Sequence, residues 1–307
     1  MEWIVQTDKL TKNFGQVAAV NNLSLRVPKG SVYGFLGPNG AGKTTTILML
    51  MGITRASSGN AWVLGQRVCP SPGYRSRIGF LPDVPDFYNW MRAEEFLRLV
   101  GRLFSIPQPQ LKERIDHLLT VTGLAGVKTR IGGYSRGMKQ RLGLAQALIN
   151  DPELIFLDEP TSALDPIGRK EMLETIKTLA ETCTVFFSTH ILSDVERICD
   201  RVGVLNQGRL VMDEAITDLR ARYAQSAVSI ETDGDAAALE KKLTAQPWSD
   251  QVERTGEKIL VTTNDINRTN LEVPRLMADM KLPLRRFEPV ELTLEDIFVR
   301  LVNDDEK

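Results

Sequence analysis

The chain has 307 residues, which is enough for a complete hydrophobic core and predicts two domains. Its 38 Lys and Arg residues nearly balance its 39 Asp and Glu residues, so the sequence lacks the basic field that binds nucleic acid. Three cysteines without pairing or metal spacing fit a reducing cytosol. Because we see no signal peptide and no apolar run long enough to span a membrane, we expect any membrane role to depend on a partner.

The N-terminal stretch alternates apolar and polar residues in the way that strands do. We predict strands at Trp3–Leu10 and Leu23–Val27, with polar turns between them that contain Gly15 and Asn21–Asn22. Phe14 falls in the first of these turns. Two interpretations stay open for this ring: it is one more core aromatic, or it is a surface on which adenine stacks.

The segment that starts at Gly37, GPNGAGKTTT, fits the phosphate-loop pattern G-x-x-x-x-G-K-[ST]. Glycines let phosphate oxygens approach backbone N–H groups that a Cβ atom would obstruct. Lys43 is placed to reach the β- and γ-phosphates, and the Thr44 hydroxyl to hold Mg²⁺. A buried strand predicted at Ser31–Leu36 and an apolar helix at Thr45–Met51 supply the context that such a loop needs. We therefore expect a nucleoside triphosphate to bind at Gly37, Pro38, Asn39, Gly40, Ala41, Gly42, Lys43, Thr44 and Thr45.

After the first helix, strand patterns give way to helical ones. We predict strands at Ala61–Leu64 and Ile78–Leu81, followed by helices at Ala93–Phe104 and Leu111–Thr122. Pro107 and Pro109 break the chain between the two helices. Residues 82–91, here called the aromatic loop, contain two prolines, three aromatic residues and a methionine. This composition suits contact with a partner, and packing under the following helices explains it equally well.

Tyr134–Gln140 places Ser135 and Gly137 just ahead of a helix that we predict at Arg141–Ile149. The serine hydroxyl, the free N–H groups and the positive end of the helix dipole suit a phosphate. Taken alone, the segment is only a capped helix start.

Two carboxylates follow a buried strand predicted at Leu154–Leu157, at the strand end where parallel α/β sheets place their ligands. Asp158 is positioned to hold Mg²⁺ through water, and Glu159 to polarise the attacking water as a general base. His190 follows a second buried strand, Thr184–Ser188, so we expect a polar role beside the γ-phosphate. A helix at Gly168–Ala180 and a hairpin at Val202–Leu205 and Arg209–Met212 complete this part of the chain.

Past Ala215 the elements become shorter and more charged, beginning with a polar link at Arg220–Ser226. We predict strands at Val228–Thr232, Lys258–Thr262 and Leu284–Phe287, and helices at Asp235–Thr244, Asn270–Met280 and from a capping pattern at Thr293. This alternation predicts a small α+β domain of ferredoxin-like type without a catalytic constellation.

The order of these motifs resembles the nucleotide-binding subunit of an ATP-binding cassette (ABC) transporter, over about Trp3–Ala215. The resemblance implies an α/β fold, a P-loop NTPase cassette with a RecA-like core, an antiparallel β subdomain and an α-helical subdomain at about 88–150. The cassette would occupy residues 1–217. A small C-terminal α+β domain, accessory or dimerising, would occupy residues 218–307.

The resemblance also implies catalytic and binding roles for the motif residues. Phe14 would stack on adenine, and Gly37–Thr45 would be the Walker A loop. Asp158 and Glu159 would be the Walker B aspartate and the catalytic glutamate, and His190 the switch histidine. The catalytic candidates are thus Lys43, Glu159 and His190, and the ligands are ATP and Mg²⁺.

Family members work as head-to-tail pairs of cassettes with two ATP molecules sandwiched between them. Ser135 and Gly137 would be the signature motif, which contacts the γ-phosphate bound to the opposite subunit, and Asp165 would belong to the D-loop. Both a homodimer and a heterodimer satisfy this arrangement. Closure would follow ATP binding, and hydrolysis would permit reopening.

The sequence departs from the family at two positions. The signature usually reads LSGGQ, whereas this chain has YSRGM, in which Arg136 adds a charge. Asp83 stands where the family usually has a glutamine, and its carboxylate could offer an oxygen to Mg²⁺ or to water. The metal candidates are therefore Thr44, Asp83 and Asp158.

The segments YSRGMKQRLGLAQAL and ELTLEDIFVRLV resemble sequences of the branch that exports drugs, antibiotics or peptides. In that branch an integral membrane subunit, a separate chain, docks near Asp83–Met91, which places the cassette at the cytoplasmic face of the cell membrane. The alternative is a soluble ABC-type ATPase that acts on the ribosome or DNA. Such proteins usually carry two cassettes or long coiled-coil insertions, and this chain has neither.

Overall fold

The computed structural model describes residues 2–69, 73–223 and 227–290. The chain forms two compact units, Met1–Ala215 and Ile216–Lys307. The strands of the first unit are β1 (Trp3–Phe14), β2 (Val17–Leu23), β3 (Arg26–Pro28), β4 (Val32–Leu36), β5 (Ser58–Val63), β6 (Gln66–Arg67), β7 (Ile78–Leu81), β8 (Leu154–Asp158), β9 (Thr184–Thr189), β10 (Arg201–Asn206) and β11 (Arg209–Ala215). Its helices are α1 (Lys43–Leu50), α2 (Ala93–Leu103), α3 (Gln108–Val121), α4 (Arg136–Leu148), α5 (Pro166–Leu179) and α6 (Leu192–Ile198).

A six-stranded sheet with the order β11-β10-β4-β9-β8-β7 forms the centre of this unit. The five strands from β10 to β7 are parallel, and β11 pairs with β10 as a closing antiparallel hairpin. Parallel strands end at the same edge of a sheet, so the segments that follow β4, β7, β8 and β9 meet there. The predicted site residues Gly37, Asp83, Glu159 and His190 all follow these four strands.

The central strands are buried on both faces, which is why their sequences are continuous apolar runs rather than alternating ones. Phe186 of β9 contacts three other rings, with centroid distances of 5.4 Å to Tyr33, 5.2 Å to Phe35 and 5.5 Å to Phe156. These aromatic contacts fix the neighbouring strands β4, β9 and β8 against one another beneath the site.

A second, antiparallel sheet has the order β2-β1-β5-β6, with β3 also paired to β1. The sequence prediction was wrong for Asn21–Asn22, which lie inside β2 and not in a turn. Asn22 adopts a positive φ of 53°, which asparagine tolerates, and the pairing with β1 contains register shifts nearby. The strand β1 also continues further than predicted, so Phe14 is its last residue.

A helical insertion with α2, α3 and α4 lies between β7 and β8. Pro109 was predicted to break the chain, but α3 begins at Gln108 and includes it. Proline is tolerated in the first helical turn because its missing N–H would have no partner there. Helix α4 begins at Arg136 and not at Arg141, because Ser135 caps it by accepting a hydrogen bond from Met138 N at 3.2 Å.

The second unit contains α7 (Ile216–Tyr223), β12 (Ala227–Thr232), α8 (Ala236–Thr244), β13 (Ser249–Thr255), β14 (Lys258–Thr263), α9 (Ile266–Asp279) and β15 (Leu284–Val290). Its antiparallel sheet has the order β13-β14-β12-β15, which with the helices gives the predicted ferredoxin-like connectivity. The sequence analysis missed β13, whose charged residues hide the pattern, and α7 occupies part of the predicted polar link. The helix predicted from Thr293 lies outside the described residues.

Candidate nucleotide-binding site

The phosphate loop joins β4 to α1 and is tightly enclosed by backbone. A Cβ atom on Gly37 would lie 2.4 Å from the Leu205 carbonyl oxygen. Gly42 has a φ of +104°, and a Cβ atom there would lie 2.3 Å from the Ala19 carbonyl oxygen. Both positions therefore require glycine, because the loop packs directly against neighbouring backbone there.

Lys43 begins α1 and its ammonium group turns back over the loop. Nζ donates hydrogen bonds to the carbonyl oxygens of Gly37, at 2.8 Å, and Pro38, at 3.2 Å. It also lies 3.1 Å from Oε1 of Glu159. The lysine charge is therefore held at the mouth of the loop, where the terminal phosphates of a nucleotide would lie.

A second group of oxygens lies beside α1, at the end of β8. The Thr44 hydroxyl donates to Oδ2 of Asp158 at 2.7 Å, and the Ser188 hydroxyl donates to Oδ1 at 2.5 Å. Asp158 is buried, so its negative charge is stabilised by these two donors. A hydroxyl and a carboxylate at this separation form an oxygen donor set of the kind that Mg²⁺ prefers. Sequence analysis identified Thr44 and Asp158 but not Ser188, whose signal was a polar residue at the end of a buried strand.

Glu159 follows Asp158 and has an unusual backbone conformation, with a φ of +48°. Oε2 lies 2.8 Å from Nδ1 of His190, at the end of β9. Oε1 is buried and has no hydrogen bond, although Lys43 Nζ is its ion-pair partner. A non-glycine residue at positive φ costs free energy and persists where the surroundings fix it. The strained backbone, the carboxylate with an open acceptor and the histidine thus form one cluster.

Phe14 ends β1, in a hairpin whose second strand touches the phosphate loop. The ring is 55% exposed, which excludes the core interpretation, and Lys12 Nζ lies 4.8 Å from its centroid. The hairpin that carries it adjoins the phosphate loop, because β2 supplies the Ala19 carbonyl beside Gly42. An exposed ring with a cation over it suits stacking with a flat base next to the phosphates.

Ser135, Gly137 and Asp165 form a separate surface. Ser135 and Asp165 are exposed helix caps, of α4 and α5, and Asp165 accepts from Gly168 N at 3.2 Å. A Cβ atom on Gly137 would lie 3.1 Å from Leu164 Cδ2, so the two helix starts adjoin each other. Among the described residues, none of these three forms a hydrogen bond with the phosphate loop of the same chain.

The aromatic loop follows β7 and divides into a packed and an exposed part. Phe87 is buried and packs edge-on against Phe96 of α2 at 5.1 Å. Tyr88 and Trp90 are 48% and 64% exposed and contact each other at 5.0 Å. Phe87 therefore fits the interpretation as packing under the following helices, and Tyr88 and Trp90 fit the interpretation as contacts for a partner.

Asp83 lies at the start of the aromatic loop, and its carboxylate accepts a hydrogen bond from Ser162 at 2.9 Å. Thr44 and Asp158 bond to each other and not to Asp83. Ser162 belongs to the loop that follows Glu159 and was not singled out from sequence, where a serine in a turn carries no distinctive signal.

No helix in the described ranges is both long and apolar enough to cross a membrane.

Comparison with known proteins agrees with this geometry. The ABC transporter family matches residues 20–162, and the C-terminal domain of DrrA1-3-like ATP-binding proteins matches residues 215–302. A solved structure of the ATP-binding subunit of an ABC transporter superposes with a TM-score of 0.65 and 27% identity, over 72% of this chain and 93% of that one.

Two bacterial relatives extend the similarity. The chain is 42% identical to the bacitracin transport ATP-binding protein BcrA of Bacillus licheniformis, over 72% of this chain and 73% of that protein. It is 37% identical to YxlF of Bacillus subtilis, an uncharacterised ABC transporter ATP-binding protein, over 98% of this chain and 100% of that protein. The protein therefore belongs to the ATP-binding, ATP-hydrolysing subunits of ABC transporters.

Proposed function

We propose that this protein binds ATP with Mg²⁺ at the carboxyl edge of its central sheet and uses hydrolysis to power a membrane export complex. The observation that carries the proposal is the cluster of Lys43, Glu159 and His190. The Glu159 carboxylate lies within 3.1 Å of both Lys43 Nζ and His190 Nδ1. Such a cluster lies beside a loop shaped for phosphate, which supports phosphoryl transfer to water.

The protein residues divide the chemical work between them. Lys43 neutralises charge on the β- and γ-phosphates, and Phe14 stacks on adenine. Glu159 accepts a proton from the attacking water once a phosphate has drawn Lys43 away from its Oε1. His190 orients the Glu159 carboxylate through the 2.8 Å contact.

Thr44 and Asp158 are the residues that would hold Mg²⁺, because both place oxygen atoms beside the phosphate loop. The ion would supply positive charge to offset the negative charge that develops on the phosphates. Ser188 fixes the orientation of Asp158 by donating to its other oxygen.

Two copies of the cassette would pair head to tail. Ser135 and Asp165 are exposed, and the half-buried Gly137 adjoins Leu164, the residue before Asp165. In a head-to-tail pair this surface would cover the ATP that is bound to the other copy. Binding would then favour the closed pair, and hydrolysis would favour reopening.

A membrane subunit would dock on the exposed part of the aromatic loop, within Asp83–Met91, at the cytoplasmic face of the cell membrane. Exposed large aromatic side chains are unusual outside interaction sites. The relative named for bacitracin transport supports export of a drug or peptide. We propose that the accessory domain, residues 218–307, stabilises the pair of cassettes, each of which comprises residues 1–217.

The decisive test is to tag the protein in its own cells, extract it in mild detergent and identify what co-purifies. We expect a stoichiometric protein with several membrane spans, and Mg²⁺-dependent ATPase activity in the purified complex. Recovery of ribosomes or DNA without a membrane protein would contradict the export role. That outcome would instead support a soluble ABC-type ATPase.

A further inference from the structure

Asp83 connects three parts of the nucleotide unit. It is the second residue after β7 and lies near the start of the aromatic loop. Its carboxylate accepts from the Ser162 hydroxyl at 2.9 Å, and its backbone carbonyl accepts from Gln140 Nε2 at 3.4 Å. Gln140 is fully buried in α4, the helix that Ser135 caps. Asp83 thus joins the aromatic loop, helix α4 and the loop after Glu159.

The loop after Glu159 is held at two adjacent points of different strength. The Thr161 hydroxyl donates to Oδ2 of Asp194 at 2.7 Å, and Arg169 Nε donates to the other oxygen at 2.7 Å. Thr161 and Asp194 are each 1% exposed, so a break there would leave a buried charge poorly compensated. This first anchor is therefore costlier to break than a hydrogen bond that water can replace.

The second anchor, between Ser162 and Asp83, is of the opposite kind. Ser162 is exposed and Asp83 is half-buried, so water competes for both groups. It is also the anchor whose acceptor belongs to the aromatic loop. Because Glu159 keeps its φ of +48° only while its surroundings fix it, a change at Ser162 is expected to alter the carboxylate position three residues earlier.

We propose that Asp83 is a positioning residue for hydrolysis, which acts through Ser162 to hold the loop that carries Glu159. The inference rests on the proposed role of Glu159 as general base. It differs from the expectation, drawn from sequence, that Asp83 offers an oxygen to Mg²⁺. A metal ligand and a positioning residue respond differently to Mg²⁺ concentration, so the two roles can be separated.

The experiment measures ATPase kinetics of the full-length chain against both ATP and Mg²⁺ concentration. The variants are Asp83→Ala, Ser162→Ala and their combination, with Asp83→Asn and Ser162→Thr as conservative replacements that keep an acceptor and a donor. Asp116→Ala, an exposed carboxylate on α3, is the matched control. Thermal unfolding of each variant shows that it is folded.

We expect each alanine variant to lower kcat by about tenfold, which corresponds to about 1.4 kcal/mol. The combined variant should lose no more than either single variant, because both remove the same hydrogen bond. KM for ATP and the half-saturating Mg²⁺ concentration should not change, the conservative variants should keep kcat within about twofold, and Asp116→Ala should match the wild type.

Three results would overturn the proposal. Additive losses would show that the two residues do not act together, and a higher Mg²⁺ requirement in Asp83→Ala alone would make Asp83 a metal ligand. Unchanged or increased kcat in both alanine variants would exclude a positioning role. Failure of the underlying function is recognised separately, since Glu159→Gln would then keep wild-type turnover.

Discussion

Nζ of Lys43 lies 3.1 Å from Oε1 of Glu159, and the two side chains are only 6% and 10% exposed. The lysine of the phosphate loop and the proposed general base therefore neutralise each other inside the protein. A γ-phosphate that enters the site competes with Glu159 for the lysine, which frees the carboxylate to face water. The pair thus links substrate binding to the availability of the base.

Lys43→Ala should abolish turnover and also destabilise the protein without nucleotide. Removing one partner of a buried ion pair leaves the other charge uncompensated, at a cost of about 3 kcal/mol in the free energy of unfolding. Adding Glu159→Gln should recover part of this loss, because the remaining buried charge is then removed. Chemical denaturation measures both effects, and Lys177→Ala on the surface of α5 is the control. Normal nucleotide affinity and turnover together would contradict the role of Lys43.

Glu159→Gln should bind ATP yet lose turnover by at least about a hundredfold, because the amide cannot accept the proton of the attacking water. ATP should then accumulate in a long-lived closed dimer. Steady-state ATPase assays and size-exclusion chromatography with Mg²⁺ and ATP measure the two effects. Glu171→Gln, an exposed residue of α5, should behave as wild type in both. Undiminished turnover in Glu159→Gln would rule out the general base.

Gly42→Ala should be far more damaging than Gly40→Ala, although both residues belong to the phosphate loop. Both have positive φ, but a Cβ atom on Gly42 meets a carbonyl at 2.3 Å and one on Gly40 meets open space. We expect a loss of about 3 kcal/mol for Gly42→Ala and about 1 kcal/mol for Gly40→Ala. Denaturant unfolding without nucleotide compares the two. Equal losses would mean that the close contact does not govern this loop.

Phe14→Ala should raise KM for ATP by about tenfold with little change in kcat, because loss of a stacked base costs about 1–3 kcal/mol. Phe14→Trp should preserve the affinity, since an indole offers a larger face. Val17→Ala, which alters the exposed residue paired with Phe14 across the hairpin, serves as the control. An unchanged KM in Phe14→Ala would show that adenine binds elsewhere.

One of the three cysteines should react with a thiol reagent in the native protein at pH 8. Cys69 is exposed, whereas burial raises the pKa of Cys183 to about 11 and that of Cys199 well above its usual value. Thiolates are the reactive species, so both buried thiols should label only after unfolding. Cys69→Ser should abolish native labelling, and two or more native equivalents would refute this assignment.

The same shifts predict a dependence of stability on pH. The folded state keeps both buried thiols protonated, whereas the unfolded chain loses these protons above about pH 8.5. Their contribution is therefore fully present below that pH and is lost as pH rises through about 11 for Cys183. Replacing Cys183 with alanine should flatten the fall in the free energy of unfolding between these two values.

The amino-acid sequence alone predicts those features of this protein that depend on neighbouring residues. A glycine-rich loop before a lysine and threonine is specified by backbone sterics and charge, and the runs VYGFL and LIFLD are specified by burial on both faces. Each of these signals lies within a few neighbouring residues. The order of motifs along the chain then sufficed to indicate the family.

Which of these segments meet in space depends on the long-range fold. Thr44 and Asp158 are 114 residues apart and Asp83 and Ser162 are 79 apart, yet each pair is joined by a hydrogen bond. Asn21–Asn22 lie in a strand because pairing with β1 outweighs their turn propensity. Phe14 is exposed although it is paired with Val17 of β2, because this end of the hairpin is not covered by the rest of the unit. Strand order and side-chain exposure depend on long-range packing, which a local pattern of residues does not encode.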